Sequence, residues 1–293
     1  MKMNRDLNAL TALVYRQLKR WVVSRSRIIS IIIQPLLWIV FLGLGFGAVF
    51  SAQNIDLTSI IGDSSIPNYI NPSDVRNMLF KYFTTTFGGV NYITFLITGM
   101  AAMTVFIGSF ISGISVIWDK QFGFLKETLV APASRKIIIL GRIIGDSIIN
   151  TVQSLIIILL ALLITSQINP WGIPIALLYI FLMSLGFTGV GVTMSLKFSS
   201  MEGFQMIINL LTMPLMFLSG VFYPINTMPN WMKTIAIINP LTYCVYGTRY
   251  WLAGVETDLS FMNPITSLVI LTIFMIVFTA IAMASFNKAT IED

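Results

Sequence analysis

Side chains able to do chemistry are scarce in this sequence. Among 293 residues there are 12 Asp and Glu, no His and one cysteine, Cys244. Zinc clusters, Cys–His nucleophiles and imidazole bases are therefore excluded, and a lone cysteine closes no intramolecular disulfide. No G-x-x-x-x-G-K-[ST] run occurs, so the chain has no P-loop with which to cradle nucleotide phosphates. The densest mixture of reactive and adhesive residues is Asp119–Arg142, where Trp118, Phe122, Phe124, Leu125 and Leu129 alternate with Asp119, Lys120, Lys126 and Glu127. That segment is too apolar for a solvated loop and too charged for a bilayer core. It fits a short helix that docks a partner protein, or one that rests on lipid. The amides Gln34, Asn150, Gln153 and Asn209 fall in apolar surroundings, where they can touch a passing solute or hydrogen-bond between helices.

The elements that position these residues follow from composition. The chain is 56% hydrophobic and only 10% charged, with a mean hydropathy of +0.85, whereas soluble domains carry roughly a quarter charged residues. Such a chain cannot clothe a water-facing surface, so a polytopic all-α membrane protein is expected. Five uncharged stretches, Ile28–Phe50, Tyr82–Trp118, Ser147–Leu196, Gly203–Met232 and Leu259–Asn287, are each long enough for a spanning helix of about 20 residues. The third is long enough for two and is interrupted by Asn169-Pro170-Trp171-Gly172, a turn cluster. Six spans are expected, near residues 29–50, 92–117, 143–166, 173–196, 204–222 and 264–286.

Six spans put both termini on one side. With those ends inside the cell, fourteen Lys and Arg fall inside and only Arg76, Lys81, Lys233 and Arg249 outside, which satisfies the positive-inside rule. The net charge of +6 is then a consequence of topology and implies no nucleic-acid partner. The basic N-terminal region is too long for a signal peptide, so the first apolar run reads as a retained anchor in the cell membrane.

Four segments flank the spans. Residues 1–28 place Leu7, Leu10, Val14, Leu18 and Trp21 at helical spacing beside Arg16, Lys19, Arg20 and Arg27, as in an amphipathic helix at the inner surface or a basic topogenic flank. Residues 51–91 form a polar outer stretch, a small cap or a loop. Residues 118–142 are the cytoplasmic segment described above, and residues 222–258 are broken by prolines yet rich in Trp, Tyr and Ile. Re-entrant half-helices buried in protein, or outer-surface helices with an aromatic belt, both suit that last composition. Residues 287–293 make a short cytoplasmic tail. Nothing charged is expected at the centre of a span; Arg142 and Asp146 would reach headgroups or each other at the mouth of span three. Intramembrane catalysis and ion-coupled transport, which need buried carboxylates or an activated nucleophile, are disfavoured.

Three runs then resemble the ABC-2-type permeases, the membrane subunits of ATP-binding-cassette exporters. They are Asn91-Tyr92-Ile93-Thr94-Phe95-Leu96-Ile97-Thr98-Gly99, with Thr98 where the family has Pro; Gly123-Phe124-Leu125-Lys126-Glu127-Thr128-Leu129-Val130-Ala131-Pro132-Ala133-Ser134-Arg135; and Leu218-Ser219-Gly220-Val221-Phe222-Tyr223-Pro224 with Met228-Pro229-Asn230-Trp231 and Asn239-Pro240-Leu241-Thr242. The likeness is nearest to drug-resistance and nodulation-factor-export permeases. It implies an N-terminal connecting helix with Arg16, Arg20, Trp21 and Arg27. It also implies a coupling helix in which Phe122, Gly123, Phe124, Leu125, Lys126, Glu127, Leu129 and Pro132 dock the ATPase. Outer re-entrant helices with Gly220, Phe222, Pro224, Pro229, Trp231, Asn239 and Pro240 would form a gate, and Gln34, Phe95 and Asn209 are possible path residues. The implied assembly is a permease subunit beside a second copy or sister permease in the lipid bilayer, with a dimer of separate ATPase subunits beneath. ATP and Mg would be bound by that partner, and this chain would hold no cofactor and catalyse no reaction. A membrane-embedded scaffold protein and an ion-coupled carrier are the competing readings.

Overall fold

The computed structural model describes residues 2–50, 71–123, 134–198, 200–257 and 262–288. Every regular element among them is helical. In chain order these are α1 (Lys2–Val23), α2 (Arg25–Trp38), a π-helical stretch at Ile39–Leu44, α3 (Gly45–Phe50), α4 (Pro72–Thr86), α5 (Tyr92–Gln121), α6 (Arg135–Ile164), α7 (Ile173–Ser195), α8 (Met201–Phe217), α9 (Asn230–Ile238), α10 (Pro240–Ala253) and α11 (Pro264–Lys288).

Helix starts are written locally in polar caps. The side chains of Asn91, Ser134, Ser200 and Asn239 accept hydrogen bonds from the backbone N–H of Thr94, Ile137, Gly203 and Leu241, each satisfying a donor the first turn leaves open. The turn expected at Asn169–Gly172 is a 3₁₀ turn, and the Asn169 N–H donates to the Leu252 carbonyl at 2.7 Å. Pro35 lies within α2 and the backbone widens into the π-helical stretch four residues later, so the first membrane segment is irregular where Gln34-Pro35 stands.

Five helical stretches among the described residues are long and apolar enough to cross a membrane: Ile33–Phe50, Tyr92–Gln121, Arg135–Ile164, Pro170–Ser195 and Pro264–Lys288. The sixth expected span is shorter than its uncharged run. This is the fifth in chain order, 204–222: α8 has 17 residues, about 26 Å at 1.5 Å per residue, and ends at Phe217 rather than 222. There Leu218 and Ser219 close a turn and Gly220 takes φ = +80°. A Cβ on Gly220 would lie 2.9 Å from Ile225, so glycine is required for both conformation and space.

α5 is the axis of the bundle, with α6, α7, α8 and α10 packed around it. Its Leu96, Ala101, Val105 and Phe106 are fully buried, so protein rather than lipid surrounds most of it. Glycines set the close approaches. A Cβ on Gly113 would lie 2.6 Å from the Gly191 carbonyl of α7 and 2.7 Å from Phe204 of α8. Gly113→Val is therefore expected to force three helices apart at a cost of about 3 kcal/mol, seen as a lower unfolding temperature in detergent. Gly45→Ala, where a Cβ meets nothing, should leave that temperature unchanged or raise it.

α1 does not lie free along a surface. It packs on the start of α6, where Gly141 and Gly145 admit Leu13, Val14 and Gln17. Leu7 is 60% exposed and Gln17 is buried, so the buried stripe is rotated from the one expected from leucine spacing. The polar stretch 51–91 contains α4, whose Phe83, with Phe87 just beyond it, stacks on Phe50 at 5.1 and 5.2 Å.

Candidate functional site

Three features lie along α5. The first is at its C-terminal end. Asp119 sits in the last turn, buried, and its Oδ2 accepts a 2.6 Å hydrogen bond from Arg142 Nη1 of α6. Arg142 Nη2 donates to Ser115 Oγ, also at 2.6 Å. Arg20 of α1 approaches Asp119 Oδ1 at 3.8 Å. Three helices thus meet on one carboxylate. This corrects two expectations: Arg142 pairs with Asp119 rather than with Asp146 or headgroups, and Asp119 belongs to a long helix rather than to a separate segment. Likewise residues 135–142 are the first turns of α6. Phe122 follows, 72% exposed, and Gly123 takes φ = +79°. Phe124, Leu125, Lys126, Glu127, Leu129 and Pro132 lie outside the described residues.

The second feature is a cavity of about 530 Å³ bounded by α1, α2, α5, α6 and the start of α8. Along α5 it runs from Trp118 to Met100, about 27 Å of helix rise. Its wall is apolar through Ile114, Ile111, Ile107 and Met103, and its waist carries Gln34, Thr104, Asn150 and Gln153. Gly108 allows the waist to form, since a Cβ there would lie 2.6 Å from Asn150 Oδ1. Asn150 Nδ2 donates to Ser109 and Ser184 at 3.3 and 3.1 Å, the interhelical role expected for it. Arg20 and Ser24 stand at the mouth.

The third feature, at the opposite end of α5, was not legible from the sequence. Arg249 of α10, counted among exterior cations, is 6% exposed. Its Nη1 donates to the Gly220 carbonyl at 3.0 Å, and its Nη2 to the carbonyls of Phe95 and Val221 at 3.0 and 3.3 Å. Its Nε lies 3.4 Å from Thr98 Oγ1 and its Cζ stands 3.5 Å over the Phe95 ring. A charged residue is therefore buried in a helix after all. It is held by carbonyl dipoles and a π face instead of a carboxylate. Gly99 clears the space, because a Cβ there would lie 2.8 Å from both Nη2 and the Val221 carbonyl. The Phe95–Gly99 run, the Gly220–Val221 run and α10 are joined by this one guanidinium.

The other residues singled out are distributed as follows. Phe222 is buried, 5.7 Å from Trp38 and 5.1 Å from Phe217. Pro224 and Pro229 precede the short helices of this region, and Trp231 is 63% exposed. Asn239 caps α10, with Pro240 as its first residue, and donates its Nδ2 to the Leu215 carbonyl at 2.7 Å. Of the three path candidates only Gln34 lines the cavity. Phe95 lies under Arg249, and Asn209 is exposed on α8, accepting from Gln205 at 2.9 Å. Arg16 is exposed and Trp21 is half-buried, while the side chain of Arg27 lies outside the described residues.

A bundle of long apolar helices with a mixed apolar and amide cavity between them defines a polytopic membrane protein. Its sequence places it more narrowly. The family model described as ABC-2 type transporter matches residues 8–253, and the chain belongs to that family of transport permeases. It is 29% identical over 280 residues to a putative transport permease, ycf38, of Cyanophora paradoxa, covering 92% of this chain and 84% of that one. To the inner membrane transport permease YadH of Escherichia coli K12 it is 24% identical over 202 residues, 68% of this chain and 77% of the relative. To the probable multidrug ABC transporter permease YbhR of the same organism it is 28% identical over 157 residues, 53% of this chain and 42% of the relative. Membership implies partnership with an ABC ATPase.

Proposed function

We propose that this chain is the membrane subunit of an ATP-binding-cassette exporter, crossing the cell membrane six times with both termini inside. α8 serves as the fifth crossing, and a second copy or a sister permease completes the path. The cargo is a lipophilic or amphipathic molecule. ATP and Mg are held by the separate ATPase dimer, and this chain supplies neither nucleotide site nor cofactor. Residues 222–258 form the outer gate.

The observation that carries this reading is the span of α5. One continuous helix of 30 residues reaches from the Arg249 junction, along the cavity, to the Asp119 knot and the exposed Phe122. A push at Phe122–Gly123 is transmitted at both ends of the path, because a hydrogen-bonded helix packed on four neighbours moves as a unit. α1 joins the same knot through Arg20, so the two cytoplasmic elements move together. The segment from Phe124 to Pro132 continues the docking surface.

The test is reconstitution with the cognate ATPase. Phe122→Asp places a charge on the apolar contact and is expected to reduce ATPase co-purification and cargo-stimulated ATP turnover at least tenfold, with the unfolding temperature of the permease unchanged. Leu125→Ala with Glu127→Ala should instead leave the protein folded and uncouple ATP turnover from export. Full export by either variant would overturn the assignment of the docking surface.

A further inference from the structure

The cavity's charge pattern restricts what it can hold. Near the mouth two guanidiniums approach the single carboxylate of Asp119, Arg142 at 2.6 Å and Arg20 at 3.8 Å, so Arg20 is the more loosely held of the two. Arg142 is buried behind Asp119, whereas the Arg20 side chain is 38% exposed and lines the mouth with Ser24. No Asp or Glu stands among the described lining residues. A cationic guest would meet Arg20 without a compensating anion, while an acidic one would complete the arginine's charge. Below the mouth the wall is a continuous strip of Ile114, Ile111, Ile107 and Met103, one face of α5 at helical spacing.

The waist adds a second requirement. Gln153 is 2% exposed, and its Oε1 has no hydrogen-bond partner in the protein. That oxygen lies 3.4 Å from where a Cβ on Gly108 would stand, and no donor among the described residues reaches it. A buried acceptor left unmade costs about 1–3 kcal/mol, and rotation of the terminal carboxamide turns it into the cavity it already lines. A guest with a hydroxyl or amide N–H halfway along its length relieves this.

From these two observations we propose that the cavity, lined here by residues of one subunit, binds an elongated acidic amphiphile. The acid sits at Arg20 and Ser24, the chain lies along the isoleucine strip of α5, and a mid-chain hydroxyl or N–H donates to Gln153. Entry is from the inner leaflet, where Arg20 sits. That such a molecule is cargo rests on the exporter reading; that it binds does not.

Trp38 and Trp118 both line the cavity, so occupancy is readable by fluorescence quenching in the purified full-length chain, without the ATPase. Three probes share one brominated octadecyl chain: a fatty acid, the same acid with a mid-chain hydroxyl, and a trimethylammonium. Both acids are expected to quench saturably, with the signal lost in the Trp38→Phe/Trp118→Phe protein. The hydroxy acid should bind several-fold tighter, a gain abolished by Gln153→Leu. Arg20→Gln should weaken both acids about tenfold, the worth of one charge-assisted contact, and Arg20→Lys should restore most of that. Equal or tighter saturable binding of the trimethylammonium probe, or quenching that never saturates, would overturn the proposal. That comparison uses the unmodified protein and holds even if a variant fails to fold. Stimulated ATP turnover in the reconstituted complex without acid binding would sink this inference and leave the exporter reading standing.

Discussion

Asp119→Ala is expected to cost about 3–5 kcal/mol, more than removal of the Arg142 charge it faces. The reason is asymmetry. Arg142 is buried, its Nη1 depends on Asp119 at 2.6 Å, and its Nε has no partner at all. Without the carboxylate a desolvated guanidinium is left with Ser115 alone, and an uncompensated buried charge carries a penalty of that size. Arg142→Met should be milder, because Asp119 keeps Arg20 at 3.8 Å and Met fills much of the volume. The combination Asp119→Leu/Arg142→Met should recover most of the stability lost in Asp119→Ala, since an apolar pair of similar size replaces a buried ion pair at little net cost. Thermal unfolding of the four proteins in detergent decides it. A double variant as unstable as Asp119→Ala would show that the residues matter for shape rather than for charge. The order should persist at high salt, because a pair only 7–10% exposed is poorly screened.

The double variant also separates stability from transmission. With the apolar pair in place the bundle is folded, but Arg20 has lost its carboxylate and α1 keeps its packing on α6 without the link to α5. On the exporter reading, ATP turnover should then continue with reduced export, because α1 no longer follows α5.

Much of this was legible because it is local. Apolar runs and the Asn169–Gly172 turn are decided by neighbouring residues, and apart from the shortened run of α8 they stand where expected. Asp119 and Arg142 were misread because their relation is not local. Arg142 and Asp146 are four apart on one helix, the spacing that favours a pair, whereas the actual partner stands on another helix across residues 122–134. Placing Asp119 correctly required knowing that α5 continues to Gln121, and a lone acid after an apolar run reads as its end. Arg249 was hidden for a similar reason. Its acceptors are backbone carbonyls, which no sequence pattern marks, and they belong to residues 28, 29 and 154 positions away. The readable trace was Gly99, whose missing side chain makes room for the guanidinium, but a glycine does not announce what occupies its space. The span that ended early, α8, stops at Phe217, and the turn that follows it carries the Gly220 carbonyl to which Arg249 donates.

Arg249→Met is expected to open the other end of the bundle. The Gly220 and Val221 carbonyls lie in a turn rather than in a regular helix, and Arg249 donates to both. Removing the fork orphans them at about 1–3 kcal/mol each, and the stacking on Phe95 goes as well. Cys244 supplies the measurement. It is the only cysteine, fully buried on α10 little more than a turn from Arg249, and a buried thiol is unreactive until the structure opens. Loss of about 3 kcal/mol from local opening corresponds to roughly a hundredfold faster maleimide labelling of Cys244. Arg249→Lys keeps the charge but cannot reach three carbonyls from one nitrogen, so its rate should fall between the two. Gly99→Ala should raise the rate too, since the added methyl displaces Nη2 without touching Cys244. Asp119→Leu/Arg142→Met, about 27 Å of helix away on the rise from Gly99 to Ser115–Asp119, should not change it while the bundle is folded. Unaltered labelling in Arg249→Met would mean that Val221 and Gly220 are held by packing alone, and the guanidinium would then be a passenger at this junction rather than its fastening.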